Sequence, residues 1–278
     1  AATEDVYLTK SNVDLLYDLA QSYTAYASLN IDASYTGKLG LPAVNTNGYY
    51  EYRTRYAQVG PTILNIGQDE GSGSNLIQID LTGITTTITI LSTGTSSNTA
   101  LPAVQIIGGT NTLTIRQGSV GFAIDEGTVS TITTIWTGYD NQQASDVQLT
   151  LGSGCTLTTI NQYGGNILAQ SNITTLTIGF GTFTLLGSAT LTTLNGQEGS
   201  MQWQSTGTMT TANIGPKFTL DCSHNTKART LTNCTIQAGG SLLDPGKSIT
   251  FTTAFLLDQA GLGDVTLNLG RNFSLQRS

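Results

Sequence analysis

Thr133-Thr134-Ile135, Thr158-Thr159-Ile160, Thr174-Thr175-Leu176, Thr192-Thr193-Leu194 and Thr210-Thr211-Ala212 repeat one phrase at steps of 25, 16, 18 and 18 residues. Asn or Gln and then Gly follow most copies, as in Asn161 to Gly165, Asn195 to Gly199 and Asn213 to Gly215. A β-branched pair closed by a small polar turn, at a step of about 20 residues, marks short strands stacked in a solenoid. Such a coil is too short for a strand–helix repeat of roughly 30 residues or a propeller blade of roughly 40. The expected fold is therefore all-β: a single-stranded, right-handed parallel β-helix with inward Ile, Leu and Val and outward Thr. A β-sandwich is the alternative, because regularly spaced turns mark sandwiches as well.

Upstream segments extend the pattern. Leu76 to Leu81 alternates, and Ile84 to Leu91 sets Thr85, Thr87 and Thr89 against Ile84, Thr86, Ile88 and Ile90. Val104–Ile107, Thr112–Arg116 and Val129–Trp136 continue it, each closed by Gly or Asn, which accept corner geometry. Tyr139 to Asp146 reads as a loop bulging from one corner.

Composition agrees. Only 10% of the 278 residues are charged, against roughly 25% in ordinary domains, and the net charge of −7 disfavours phosphate-mediated nucleic-acid binding. No stretch approaches the roughly 20 apolar residues of a membrane helix. Cys155, Cys222 and Cys234 form no CxxC pair and read as free, buried thiols of a chain made in a reducing cytosol.

Three segments are expected along the chain. In residues 1–30, Val13, Leu16, Ala20, Tyr23 and Ala27 recur at helical steps after a Ser11-x-x-Asp14 cap, predicting a helical arm with Leu15, Leu19 and Tyr26 widening its apolar stripe. Residues 31–73 form a Tyr-rich lead-in. Its Tyr49-Tyr50-Glu51-Tyr52-Arg53-Thr54-Arg55-Tyr56 reads as one alternating strand, and Tyr and Arg are enriched at interface hot spots. The candidate interaction residues are Leu15, Leu16, Leu19, Tyr23, Tyr26, Tyr49, Tyr50, Tyr52, Arg53, Arg55 and Tyr56. An intramolecular cap competes with docking for both segments. Residues 74–278 form the β-helix, closed by Phe251, Phe255 and Phe273.

Chemistry is sparse. His224 is the single histidine, no GxSxG surrounds a serine, and no phosphate loop or calcium repeat is present. Polysaccharide cleavage would need paired carboxylates across a groove. Asp125, Glu126, Asp140, Asp146 and Glu198 fall at scattered phases of the repeat, while Trp136, Trp203, Tyr139 and Tyr163 are the candidate sugar platforms. No catalytic, cofactor or metal site is assigned.

The order of Glu4-Asp5-Val6-Tyr7-Leu8-Thr9-Lys10…Asn12-Val13-Asp14-Leu15-Leu16, a Tyr-rich lead-in, Thr-Leu-Asn-Gly coils and a closing Asp264-Val265-Thr266-Leu267-Asn268-Leu269-Gly270-Arg271-Asn272 resembles β-helical structural proteins of tailed bacteriophages. The resemblance implies a non-enzymatic virion protein, made in the host cytoplasm, that decorates or cements the capsid surface. Its expected partners are the major capsid protein or other virion proteins and further copies of itself, with a trimer as the candidate state. No nucleic acid, membrane or cofactor is implied. The alternative is a receptor-binding tail fibre or tailspike that grips or cleaves host polysaccharide.

Overall fold

A computed structural model describes residues 3–16, 25–42, 47–49, 53–68, 73–95, 101–138, 147–258 and 264–270. The regular elements among them are all strands, and they build a parallel β-solenoid of about 10 turns. One ladder climbs from Asp5–Leu8 through Tyr26–Asp32, Pro61–Gln68, Thr85–Ile90, Thr110–Ile115 and Ser130–Thr137 to Cys155–Ala169. It continues through Ile173–Leu185, Leu191–Gly196 and Met209–Ile214 to Arg229–Gln237. A second ladder joins Ile77–Asp80, Val104–Ile107, Gly118–Phe122 and Val147–Leu151. It then takes the second halves of Cys155–Ala169 and Ile173–Leu185, followed by Gly199–Trp203, Phe218–Asp221, Ser241–Leu243 and Thr266–Asn268.

The core is a set of vertical columns. Leu29, Leu64, Ile88, Leu113, Ile135, Ile160, Leu176, Leu194, Ala212 and Cys234 lie in register, one per turn, and all are buried. Stacked strands sit about 4.8 Å apart, so each side chain fills the space between its two vertical neighbours. Burial of each large aliphatic contributes about 1.5–3 kcal/mol.

The Thr-Thr phrase has a specific origin. Between Ser130–Thr137 and the strand below it the register slips between Ile132 and Thr134, which makes Thr133 an extra residue in a β-bulge. From that turn upward, two outward residues separate the inward pair: Ile132 and Ile135, Leu157 and Ile160, Ile173 and Leu176, Leu191 and Leu194, Met209 and Ala212. Below it a single residue separates Asn111 from Leu113. The outward threonines align as Thr87, Thr112, Thr134, Thr159, Thr175, Thr193 and Thr211.

Two expectations are corrected. No helix is seen among the described residues of 11–27: Leu15 makes a parallel bridge to Leu39, and Tyr26 and Ala27 belong to the strand Tyr26–Asp32. A lone helix of that length is marginal in water, whereas extended segments gain ready-made partners on the turn above. The central part of that stripe, including Leu19 and Tyr23, lies outside the described residues. The single strand over 49–56 is also absent, since Tyr49, Arg53, Thr54, Arg55 and Tyr56 are irregular and pairing resumes only at Ala57–Gln58. This stretch belongs to an excursion that leaves the second turn after Leu41 and closes where the Leu41 N–H donates to the Arg55 carbonyl at 2.9 Å. At the far end the Phe251 and Phe255 rings lie tilted with centroids 5.6 Å apart, half-buried against the core; Phe273 lies outside the described residues.

Leu176→Ala, inside this column, should lower unfolding free energy by about 2–5 kcal/mol in urea titrations. A loss below about 1 kcal/mol would contradict a continuous, close-packed stack.

Candidate functional site

Of the seven candidate interaction residues among the described residues, five are buried or half-buried. Outward-facing Gln78 and Gln105 are each 1% exposed, and the Gln105 amide nitrogen donates to the Pro102 carbonyl at 3.2 Å. The Gln78 amide nitrogen, placed by its acceptor surroundings, donates to the carbonyls of Leu41 and Arg55. Arg55 forms an ion pair with Asp125, and the Tyr56 hydroxyl donates to the same carboxylate oxygen at 2.6 Å. Arg55 also lies 5.9 Å from the Tyr56 ring centroid. Tyr56 is 7% exposed; burial first, and then the bond to Asp125, hold its phenol well above the ordinary range. Leu15, Leu16, Tyr26 and Arg55 are half-buried. Tyr49 and Arg53 stay exposed, Tyr49 to 73%, while Tyr50 and Tyr52 lie outside the described residues. At the first turns Tyr7 (62%) and Val13 (61%) also face outward.

Among the described residues, the candidate acids Asp125, Glu126 and Glu198 are separately placed. Asp125 is engaged by Arg55 and Tyr56, and Glu198 lies 3.9 Å from Lys217 on the surface. Glu126 is exposed, and Asp140 and Asp146 lie outside the described residues. Exposed His224 sits 3.4 Å from Asp221 at a turn.

Three of the proposed sugar platforms are engaged within the molecule. Trp203 is 1% exposed beneath the Arg229 guanidinium, which lies 5.5 Å from its ring centroid. Trp136 and Tyr163, from successive turns, stack on each other at 5.9 Å and 11°. Tyr163 then covers Gly179, where an added Cβ would stand 2.5 Å from its ring. The pair is a cross-strand aromatic stack worth roughly 0.5–1.5 kcal/mol. Tyr139 lies outside the described residues.

The sequence reading missed two buried charges. Arg229, 2% exposed, donates to the carbonyls of Trp203, Lys227 and Asn225 and to the Asn225 side chain. Asp244 is wholly buried and accepts from the Ser248 N–H at 2.8 Å, the Ser248 hydroxyl at 2.6 Å and the Ile249 N–H at 2.9 Å. Each ties a corner to neighbouring backbone, the condition under which a buried charge is tolerated. Cys155, Cys222 and Cys234 are free and buried, and burial pushes each thiol up to about 12.

No family model, curated protein or solved structure matches this chain.

Asp125→Ala should release the excursion, and trypsin should cleave after Arg53 and Arg55 several-fold faster than in the parent; equal cleavage rates would show that the excursion is held by other contacts. The thiols supply a pH test. Their native values lie above the ordinary value of 9.0, so between pH 9 and about 12 the unfolded chain releases protons that the native chain keeps. Stability from this source is complete below pH 9 and declines as pH rises. Replacing all three with Ala or Ser should flatten the alkaline fall in urea midpoint above pH 9; an unchanged slope would exclude the thiols as its source.

Proposed function

We propose that this chain is a non-enzymatic virion structural protein that binds the assembled head of a tailed bacteriophage as a decoration or cement protein. The observation that carries the reading is a continuous parallel solenoid, its two ladders together reaching from Asp5 to Asn268 behind neutral threonine and asparagine faces. Such a stack is a stiff, extended body whose outward chemistry suits repeated contact with a lattice. The resemblance at both termini points to the same class of protein.

Docking falls to the first turns and the excursion, where Tyr7, Val13, Tyr49 and Arg53 stay exposed while Arg55 and Tyr56 hold the excursion in place. The major capsid protein is the partner, and copies of this chain on local symmetry axes form the homo-oligomer, a trimer at a three-fold. A cement binds the assembled shell and not its free subunits, so its binding free energy adds to shell stability. Many equivalent weak contacts on one lattice hold it with high avidity.

Heads assembled without this chain, mixed with purified protein and sedimented, should capture it in fixed stoichiometry and resist a higher temperature. Tyr7→Asp and Tyr49→Asp should each reduce capture about tenfold, about 1.4 kcal/mol, with an unchanged β circular dichroism spectrum. Failure of the parent protein to bind heads, or full binding by both variants, would sink the reading.

A further inference from the structure

Between the in-register pairs at one corner of the solenoid, the connecting turn changes length. Leu151 to Leu157, Leu185 to Leu191 and Trp203 to Met209 each take 6 steps, but Ala169 to Ile173, in register with them, takes 4. The turn Gln170-Ser171-Asn172 therefore sits back between two longer turns, leaving a recess of about 500 Å³ across three coils.

The recess is built from fixed parts. At its floor the buried Ser171 hydroxyl donates to the Gly152 carbonyl, and the Asn172 side-chain oxygen accepts the Thr190 N–H at 2.8 Å. One wall is the turn Gly152-Ser153-Gly154, pressed so closely on the turn below that an added Cβ at Gly152 would stand 1.8 Å from the Ala123 carbonyl oxygen. A Cβ at Gly154 would stand equally close to that of Thr128. Around the rim Ser153, Thr156, Gln170, Thr174, Ser188 and Thr190 are exposed. No Asp, Glu, Lys or Arg lines it.

We propose that this recess is a binding site for a neutral oligosaccharide. Its volume falls in the range of small-ligand sites, and its walls are positioned before any ligand arrives, which lowers the ordering cost of binding. Hydroxyls and the carboxamides of Gln170 and Asn172 both donate and accept, matching a ligand rich in hydroxyl donors and acceptors. An aliphatic ligand would leave those groups desolvated and unpaired, and an ionic one would find no counter-charge. The site is separate from Trp136 and Tyr163 and independent of the capsid reading.

The test is a panel of neutral tri- to hexasaccharides of glucose, galactose, mannose and N-acetylglucosamine, with sialylated and sulfated glycans as charged controls. Binding is read by saturation-transfer NMR and calorimetry on the full chain. At least one neutral member should bind. Inserting Gly-Ser after Gln170, which restores the turn to the length of its neighbours, should weaken that binding at least tenfold. Ser188→Tyr, an exposed-site change that fills the recess without altering the coil, should do the same should the insertion variant not fold. Absence of neutral-glycan binding at millimolar concentration, equal binding of the charged glycans, or undiminished binding by a folded variant overturns the proposal.

Discussion

Leu176 is buried only because Ile160 lies in register on one side and Leu194 on the other, and every core position depends on its neighbours in this way. Parallel, in-register stacking is the constraint from which the rest follows. It explains why most inward residues are apolar, why the buried polar exceptions Asn111, Thr137 and Gln162 each hydrogen-bond to backbone carbonyls, why outward threonines form columns, and why a slip of one residue would turn a whole strand inside out. The bulge at Thr133 is where the chain changes its spacing, and all five later turns that carry the phrase or its geometry must then keep the new one.

The solenoid was legible because that constraint writes itself into the sequence. A bulge that propagates leaves two adjacent outward residues per turn, and Thr-Thr is its trace. The β-character of Leu76–Leu81 and Ile84–Leu91 was equally plain, since alternation is local. The N-terminal segment misled for the opposite reason. Val13, Leu16 and Ala27 recur at helical steps, but Leu15 and Tyr26 belong to separate extended segments whose partners, Leu39 and Pro61, are distant in sequence. Periodicity cannot distinguish one helical stripe from two short extended pieces when the pairing is non-local.

Side-chain roles were less legible than backbone. Nothing adjacent to Arg55 announces Asp125, 70 residues away. Trp203 and Trp136 look alike in sequence, yet one is sealed under Arg229 and the other stacks on the outer face with Tyr163. Arg229 and Asp244 have only turn-like surroundings to betray them: Asp244 is held by Ser248 and Ile249 just downstream, and Arg229 by Asn225, Lys227 and the distant Trp203 carbonyl. The shortened corner at Gln170–Asn172, by contrast, was visible as the single 16-residue step, although its meaning needed the register of the turns on either side.

The contact of Arg55 and Tyr56 with Asp125 has a consequence for how the molecule comes apart. In a stack where each turn touches only the next, unfolding can start at an end and proceed one turn at a time, as in a one-dimensional chain of coupled units. The strand pairings place Ala57, next to Tyr56, three ladder steps from Phe122, near Asp125. A bond across those steps couples turns that are not neighbours, so fraying at this end must break the clasp before any of the enclosed turns can peel away. The first part of the solenoid is thereby converted from a zipper into a block, one cooperative unit with a single barrier, while the turns beyond it retain the gradual mechanics of a stack.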